Sequence, residues 1–256
     1  GVLTDLGGFI ASTYKRGIPF INIPTTLLGM CDASIGGKTG IDHQFLKNII
    51  GTFANPEQIF VFPKFLETLP FEELRSGFAE MLKHGLIIDE KHWNDLISIK
   101  NLTPQSVFPF IETSMKIKQK VVDQDFTEQN IRKTLNFGHT IGHALESLFL
   151  LKGKPIMHGE AVALGMICET RISMLHGLIS EETSNTIISH LRKFFPDIDT
   201  KQFSVEEILN LMRNDKKNSH GTINFSLLTG IGNSAYNCSV DAEHINKSLH
   251  YYQNLP

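Results

Sequence analysis

The chain has 256 residues, 41% hydrophobic and 20% charged, with a formal net charge of -3, which fits one large or two ordinary globular domains with real cores. That charge gives no overall basic field to draw it to nucleic acid or an anionic membrane, and basic residues gather only locally, as at Lys216-Lys217. Cys31, Cys168 and Cys238 are far apart, odd in number and without C-x-x-C spacing. They point to a reducing, cytoplasmic compartment and no disulfide frame. No apolar run approaches the roughly 18 residues of a membrane span and no charged-then-apolar leader is present.

The chain opens on Gly1-Val-Leu-Thr-Asp5, without a methionine, in what reads as a glycine turn leading into a helix. The first strand or strands of a domain are therefore expected to be absent. From Gly1 to Phe62 the pattern is α/β. Asp5 to Tyr14 reads as a helix stopped near Arg16-Gly17, and Ile18 to Pro24 as a short strand bounded by prolines. Thr25 to Gly40 reads as a loop with reactive side chains and paired glycines, and Ile59 to Phe62 as a second strand. Alternating strand, glycine-rich loop and helix suits a nucleotide-binding layer.

From Pro63 onward the texture becomes helical. Segments Glu72 to Ile88, Val107 to Val122, His139 to Leu150, Glu160 to His176, Glu181 to Phe195 and Val205 to Met212 carry apolar residues at helical spacing. Thr222 to Leu228 reads as a short strand before Gly230. The change near Phe62 divides the chain into 1–62 and 63–256.

Gly36-Gly-Lys-Thr39 has Asp32 where a P-loop needs its first glycine, so that reading fails, although exposed backbone N–H groups with Lys38, Thr39 and the nearby Lys47-Asn48 pair suit an anion. Gly230-Ile-Gly-Asn-Ser-Ala235 is a G-x-G-x-x-A run with no helical period after it, so it reads as an ordinary turn. Glu80, Lys83 and His84 fall on one stripe of a largely apolar helix, which favours a buried, paired stripe over a solvated Glu–Lys pair. Glu128, Arg132 and Asn136 are spaced by four and run into the histidines; a continuous helix past Gly138 would aim them at the same pocket, and the run into three histidines favours that reading over an exposed charged turn.

His139 and His143 stand one helical turn apart, and His158 follows a short loop later. Three clustered imidazoles suit a metal site, an acid–base site or both. Thr140 occupies the place of the base in H-E-x-x-H, which disfavours a metallopeptidase. The other histidines, His43, His92, His176, His190, His220, His244 and His250, read as structural.

Pro24-Thr-Thr-Leu-Leu-Gly-Met-Cys-Asp-Ala-Ser-Ile-Gly-Gly-Lys-Thr-Gly40, Lys47-Asn48, Leu66-Glu-Thr-Leu-Pro70, Gly77-Phe-Ala-Glu-Met-Leu-Lys83, Leu135-Asn-Phe-Gly-His-Thr-Ile-Gly-His143 and His158-Gly-Glu160 resemble the 3-dehydroquinate synthase family. The likeness runs from Gly1 to about Gly232. It implies an α/β N-terminal NAD-binding domain, here partial, followed by a mostly α-helical C-terminal domain, with the active site in the cleft between them.

By the same resemblance, Glu80, His139 and His158 hold zinc, or cobalt, since the same N/O ligands accept both. His143, Lys83 and Glu128 are the catalytic groups. Lys38, Asn48, Lys83, Lys118, Arg132, Asn136 and one of Lys216-Lys217, here Lys216, meet substrate. Arg16 reaches the neighbouring subunit's site, which implies a homodimer. NAD contacts fall on Gly1, Val2, Leu3, Thr4, Asp5, Thr25, Thr26, Asp32, Lys38, Lys47, Phe65, Leu66, Glu67 and Thr68.

The implied reaction is a step of the shikimate pathway to aromatic amino acids. It turns 3-deoxy-D-arabino-heptulosonate 7-phosphate into 3-dehydroquinate and phosphate by transient oxidation, elimination, reduction and aldol closure. Related sugar phosphate cyclases tend to change the carboxylate-side residues, which are kept here as Arg132 and Asn136. Metal-dependent alcohol and glycerol dehydrogenases share the fold but carry a Thr-Gly-Ser-Glu-like run absent from this chain. A non-catalytic binding module left by truncation is the third alternative.

Overall fold

The computed structural model describes residues 2–43, 46–213 and 223–255, apart from the side chains at 42–43 and 46–48. In chain order its elements are helix α1 (Val2–Thr13), strands β1 (Ile21–Asn22), β2 (Lys38–His43), β3 (Leu46–Phe53) and β4 (Gln58–Ile59), then helices α2 (Phe71–Ile88), α3 (Glu90–Ile97), α4 (Pro104–Gln124), α5 (His139–Leu151), α6 (His158–Leu175), α7 (Glu181–Phe194) and α8 (Val205–Arg213), strands β5 (Ile223–Gly230) and β6 (Asn233–Val240), and helix α9 (Ala242–Gln253). No helix among the described residues is long and apolar enough to cross a membrane. The chain packs as two compact units, Gly1–Met81 with Asn101–Arg132, and Leu82–Lys100 with Lys133–Pro256. The change of unit thus falls inside α2.

In the first unit, β2 and β3 form an antiparallel hairpin with Lys38 opposite Phe53 and Gly40 opposite Gly51. Helix α1 packs on it through hydroxyls: Ser12 Oγ lies 2.6 Å from Thr52 Oγ1, which in turn lies 2.7 Å from Thr39 Oγ1. A two-residue parallel pair joins Ile21 to Gln58 and Asn22 to Ile59. The expected strand from Ile18 to Pro24 shrinks to β1, since Pro19 and Pro24 have no N–H to give a ladder. The expected turn before Asp5 is instead helix from Val2. The stretch read as one loop from Thr25 to Gly40 contains a π-helical turn, Gly29–Ala33, and the start of β2. Helix α4 begins with Thr103 as a capping box with Ser106 and Pro104 in its first turn.

In the second unit, α6 is the hub. Its residues from Gly159 to Ser173 are buried almost without a break, as expected of a helix apolar on all sides. Helices α5, α7 and α9 and strand β5 pack on it. The α5–α6 contact is backbone to backbone: a Cβ on Gly165 would sit 1.8 Å from the carbonyl oxygen of Gly138. The run at Gly230 is the turn of the β5–β6 hairpin, Gly230 opposite Asn233. A strand follows it, which agrees with the plain turn reading.

Candidate active site

Helix α5 starts at His139 because Gly138 adopts a left-handed φ of 79°, a conformation that costs glycine little. No side chain of its own cap residue serves the first turn. The carboxylate of Glu169, fully buried on α6, does so instead: it accepts the N–H of Gly138 at 2.6 Å and of Ile141 at 3.1 Å.

This start places His139 and His143 one turn apart, while His158 opens α6. Their ring centroids are 4.9 Å (His139–His143), 5.6 Å (His139–His158) and 5.8 Å (His143–His158) apart. One nitrogen from each ring lies within 4.8 Å of the other two, and all three residues are half-buried. His139 Nδ1 is 3.1 Å from the Phe137 carbonyl oxygen, and His158 Nδ1 is 3.6 Å from Glu146 Oε2. Imidazole nitrogens bond zinc at about 2.0–2.1 Å, so small side-chain adjustments bring three such atoms onto one ion. The donor set fits a divalent transition metal, and His143 fits it as well as the other two.

The stripe on α2 is buried as expected: Glu80, Lys83 and His84 are 0%, 1% and 0% exposed. Glu80 belongs to the first unit, where a carboxylate oxygen of it comes within 4.8 Å of one from Asp32. His139 and His158 belong to the second unit.

The first unit also collects the cations read as anion contacts. Lys118 Nζ donates to the Asp32 carbonyl at 2.6 Å and to Asp32 Oδ1 at 2.7 Å. Arg132 is 2% exposed; its Nη2 donates to the Gly36 carbonyl at 2.9 Å and its Nη1 to the Phe126 carbonyl. Lys38, on the hairpin, is ion-paired with Glu128. The backbone leading to Arg132 is tied by Asp125, which accepts the N–H groups of Gln129 (2.9 Å), Asn130 (2.6 Å) and Arg132 (3.0 Å). Burial alone would raise the Asp125 carboxyl, but these three bonds and the Arg132 charge hold it below its ordinary value of 3.8. Burial, and then Asp32 beside it, pushes the Cys31 thiol up, which makes it an inert core residue rather than a nucleophile.

Glu128, Arg132 and Asn136 do not share a helix with the histidines. Ile131–Asn136 is a 3-10 turn, and Gly138 separates it from α5. Thr26 Oγ1 accepts the Gly29 N–H at 3.0 Å, and Thr25 is exposed. Phe65, Glu67 and Thr68 are exposed on a 3-10 turn whose Leu66 is buried. Val2 and Leu3 are exposed on α1, Thr4 and Asp5 half-buried, and Arg16 is exposed at a φ of 68°. Gly1, Lys216 and Lys217, and the side chains of Lys47 and Asn48, lie outside the described residues.

Two residues escaped the reading of the sequence, Glu146 and Glu169. Each carried a faint signal: Glu146 is three residues after His143, and Glu169 is eleven after His158, three helical turns along the same face.

Profiles described as 3-dehydroquinate synthase N-terminal and C-terminal match residues 1–76 and 77–218. A 3-dehydroquinate synthase of Parabacteroides distasonis is 43% identical over 99% of this chain and 72% of its own length. A bifunctional 3-dehydroquinate synthase/phosphatase of Fusobacterium nucleatum is 40% identical over 99% of this chain, which spans 39% of that protein. Among solved structures, ValA, a 2-epi-5-epi-valiolone synthase from Streptomyces hygroscopicus subsp. jinggangensis with NAD+ and Zn2+ bound, superposes with a TM-score of 0.87 at 28% identity, covering 98% of this chain and 70% of that one. A 2-deoxy-scyllo-inosose synthase complexed with carbaglucose-6-phosphate, NAD+ and Co2+ gives 0.80 at 27% identity, covering 94% and 69%.

Proposed function

The chain belongs to the 3-dehydroquinate synthase family, and we propose how its own residues share out that family's reaction, the conversion of 3-deoxy-D-arabino-heptulosonate 7-phosphate to 3-dehydroquinate and phosphate in the shikimate pathway. The observation that carries the reading is the convergence of His139, His143 and His158 within 4.8 Å. The cofactors named with the two solved relatives support NAD and a divalent metal here as well. When bound, NAD takes up and returns a hydride and the metal acts as a Lewis acid on the substrate oxygen.

Glu80, His139 and His158 hold the metal. By the family resemblance His143 moves protons rather than holding the metal; its place beside His139 and His158 is compatible with that role. Arg132 recognises the carboxylate with a planar fork, which lysine could not imitate. Two of its N–H groups are committed to carbonyls, so the guanidinium meets substrate already oriented. Lys38, Lys118, Asn48, Lys83, Asn136 and Lys216 bind the phosphate and hydroxyl groups. Glu128 holds Lys38 in place and takes part in proton transfer. NAD lies against Val2 to Asp5, Thr25, Thr26, Asp32, Lys38, Lys47 and the Phe65 to Thr68 turn. Arg16 completes a partner subunit's site in a cytoplasmic homodimer.

A related cyclase specificity is the second reading, supported by the two structural relatives, which are named as a 2-epi-5-epi-valiolone synthase and a 2-deoxy-scyllo-inosose synthase. Arg132 and Asn136 weigh against it. A sulfoacetaldehyde reductase at 15% identity and a TM-score of 0.57 shares the fold alone. The deciding experiment is phosphate release from the heptulosonate phosphate with and without NAD and a chelator. Release that needs both NAD and metal supports the reading. Stoichiometric metal without turnover would make the chain a binding module instead.

A further inference from the structure

The N–H of Gly138 and the C=O of Phe137 are the two ends of one peptide plane. Glu169 grips the N–H end at 2.6 Å, and His139 Nδ1 lies 3.1 Å from the oxygen end. The second carboxylate oxygen of Glu169 takes the Ile141 N–H at 3.1 Å, so the plane is fixed against rotation relative to the first turn of α5. A fully buried carboxylate is costly unless hydrogen-bonded, and here the N-terminus of α5 supplies both the donors and a favourable dipole. A charge on the N–H side of a peptide polarises it and makes its carbonyl a better acceptor. The carbonyl in turn favours a proton on His139 Nδ1, which leaves Nε2 as the lone pair offered to the cluster.

We propose that Glu169 is a positioning residue that acts on His139 through the Phe137–Gly138 peptide, fixing the ring's tautomer and direction for metal binding. The inference rests on the assignment of His139 as a metal ligand. Glu169→Gln is the informative change: the amide keeps the shape but has one acceptor oxygen, so its NH2 must face one of the two backbone N–H groups. Ser173→Ala is the control. Ser173 Oγ donates to the Glu169 backbone carbonyl at 2.8 Å and accepts the Leu228 N–H at 3.0 Å, so its loss weakens α6 without touching the carboxylate.

Two measurements test the proposal on the whole chain. The first is the ring-nitrogen NMR spectrum of His139 in metal-free protein, which reads the tautomer directly. The second is Co2+ affinity. Glu169→Gln is expected to shift His139 toward the Nε2–H tautomer and to weaken Co2+ by about 10- to 100-fold, the usual cost of losing such an outer contact. Ser173→Ala is expected to lower Tm and leave both readouts alone. An unchanged tautomer in Glu169→Gln overturns the proposal, as does unchanged Co2+ affinity where the wild type binds Co2+. If the wild type binds no Co2+ at the cluster, the ligand assignment fails, while the tautomer still decides the role of Glu169. Should Glu169→Gln not fold, an Nε2–H tautomer of His139 in the metal-free wild type overturns it.

Discussion

In the first unit, Lys118, Arg132 and Lys38 are tied to the chain's own oxygens, those of Asp32, Gly36 with Phe126, and Glu128. In the second, His139, His143 and His158 turn their nitrogens toward one another, and the chain braces them from behind, through the Phe137 carbonyl and Glu146. An anion bound by these cations must compete with or add to those bonds. Each imidazole brings one ligand nitrogen to within 4.8 Å of the other two. Such a difference suits a transient anionic ligand in the first unit and a resident ion in the second: exchange is easier against pairs that re-form, and retention is stronger where donors are fixed beforehand.

The contrast can be broken most severely at Gly165. Gly165→Ala drives a Cβ into the Gly138 carbonyl and is expected to cost about 3 kcal/mol or more in urea unfolding, at or beyond the upper end for overpacking, with metal retention lost as α5 shifts. Next, Arg132→Ala should weaken substrate by about 10- to 100-fold, as for a charge-assisted hydrogen bond, with NAD affinity unchanged in the same calorimetric titrations. Equal losses would remove Arg132 from carboxylate recognition.

Asp125→Asn should then cost about 1–3 kcal/mol, since it disturbs acceptors for three N–H groups. The sign of its pH effect is fixed. A folded carboxyl held below 3.8 contributes stability above that value and loses it as pH falls through the depressed folded one. Wild-type stability should therefore fall in that acid window, and the Asn variant should have a flatter profile there. The smallest effect belongs to Thr103→Ala at the start of α4, about 1 kcal/mol of cap energy, with metal and substrate binding untouched.

Much of the second unit was legible because long amphipathic helices announce themselves by spacing, and the histidines cluster within one helix and the next helix's first residue. The burial of Glu80, Lys83 and His84 followed from their apolar flanks. The β2–β3 pair was not legible: Lys38 to Gly40 read as part of a loop, and the pairing joins residues as far apart in the chain as Lys38 and Phe53. Helix α3 is eight residues long with only Trp93 and Leu96 as large buried apolar side chains, too little period to detect. Helix α9 carries Ile245, Leu249 and Tyr252 at helical spacing and could have been found. The role of Glu169 depends on a contact between residues 138 and 169, which only the packing of two helices reveals.

Co2+ titration of the wild type, Glu80→Ala, His139→Ala, His143→Ala and His158→Ala decides whether this imidazole cluster is a metal centre with divided duties. One tightly held ion is expected in the wild type and in His143→Ala, the latter losing most turnover, and none in the other three. Stoichiometric metal in His139→Ala, or its loss in His143→Ala, would contradict that division.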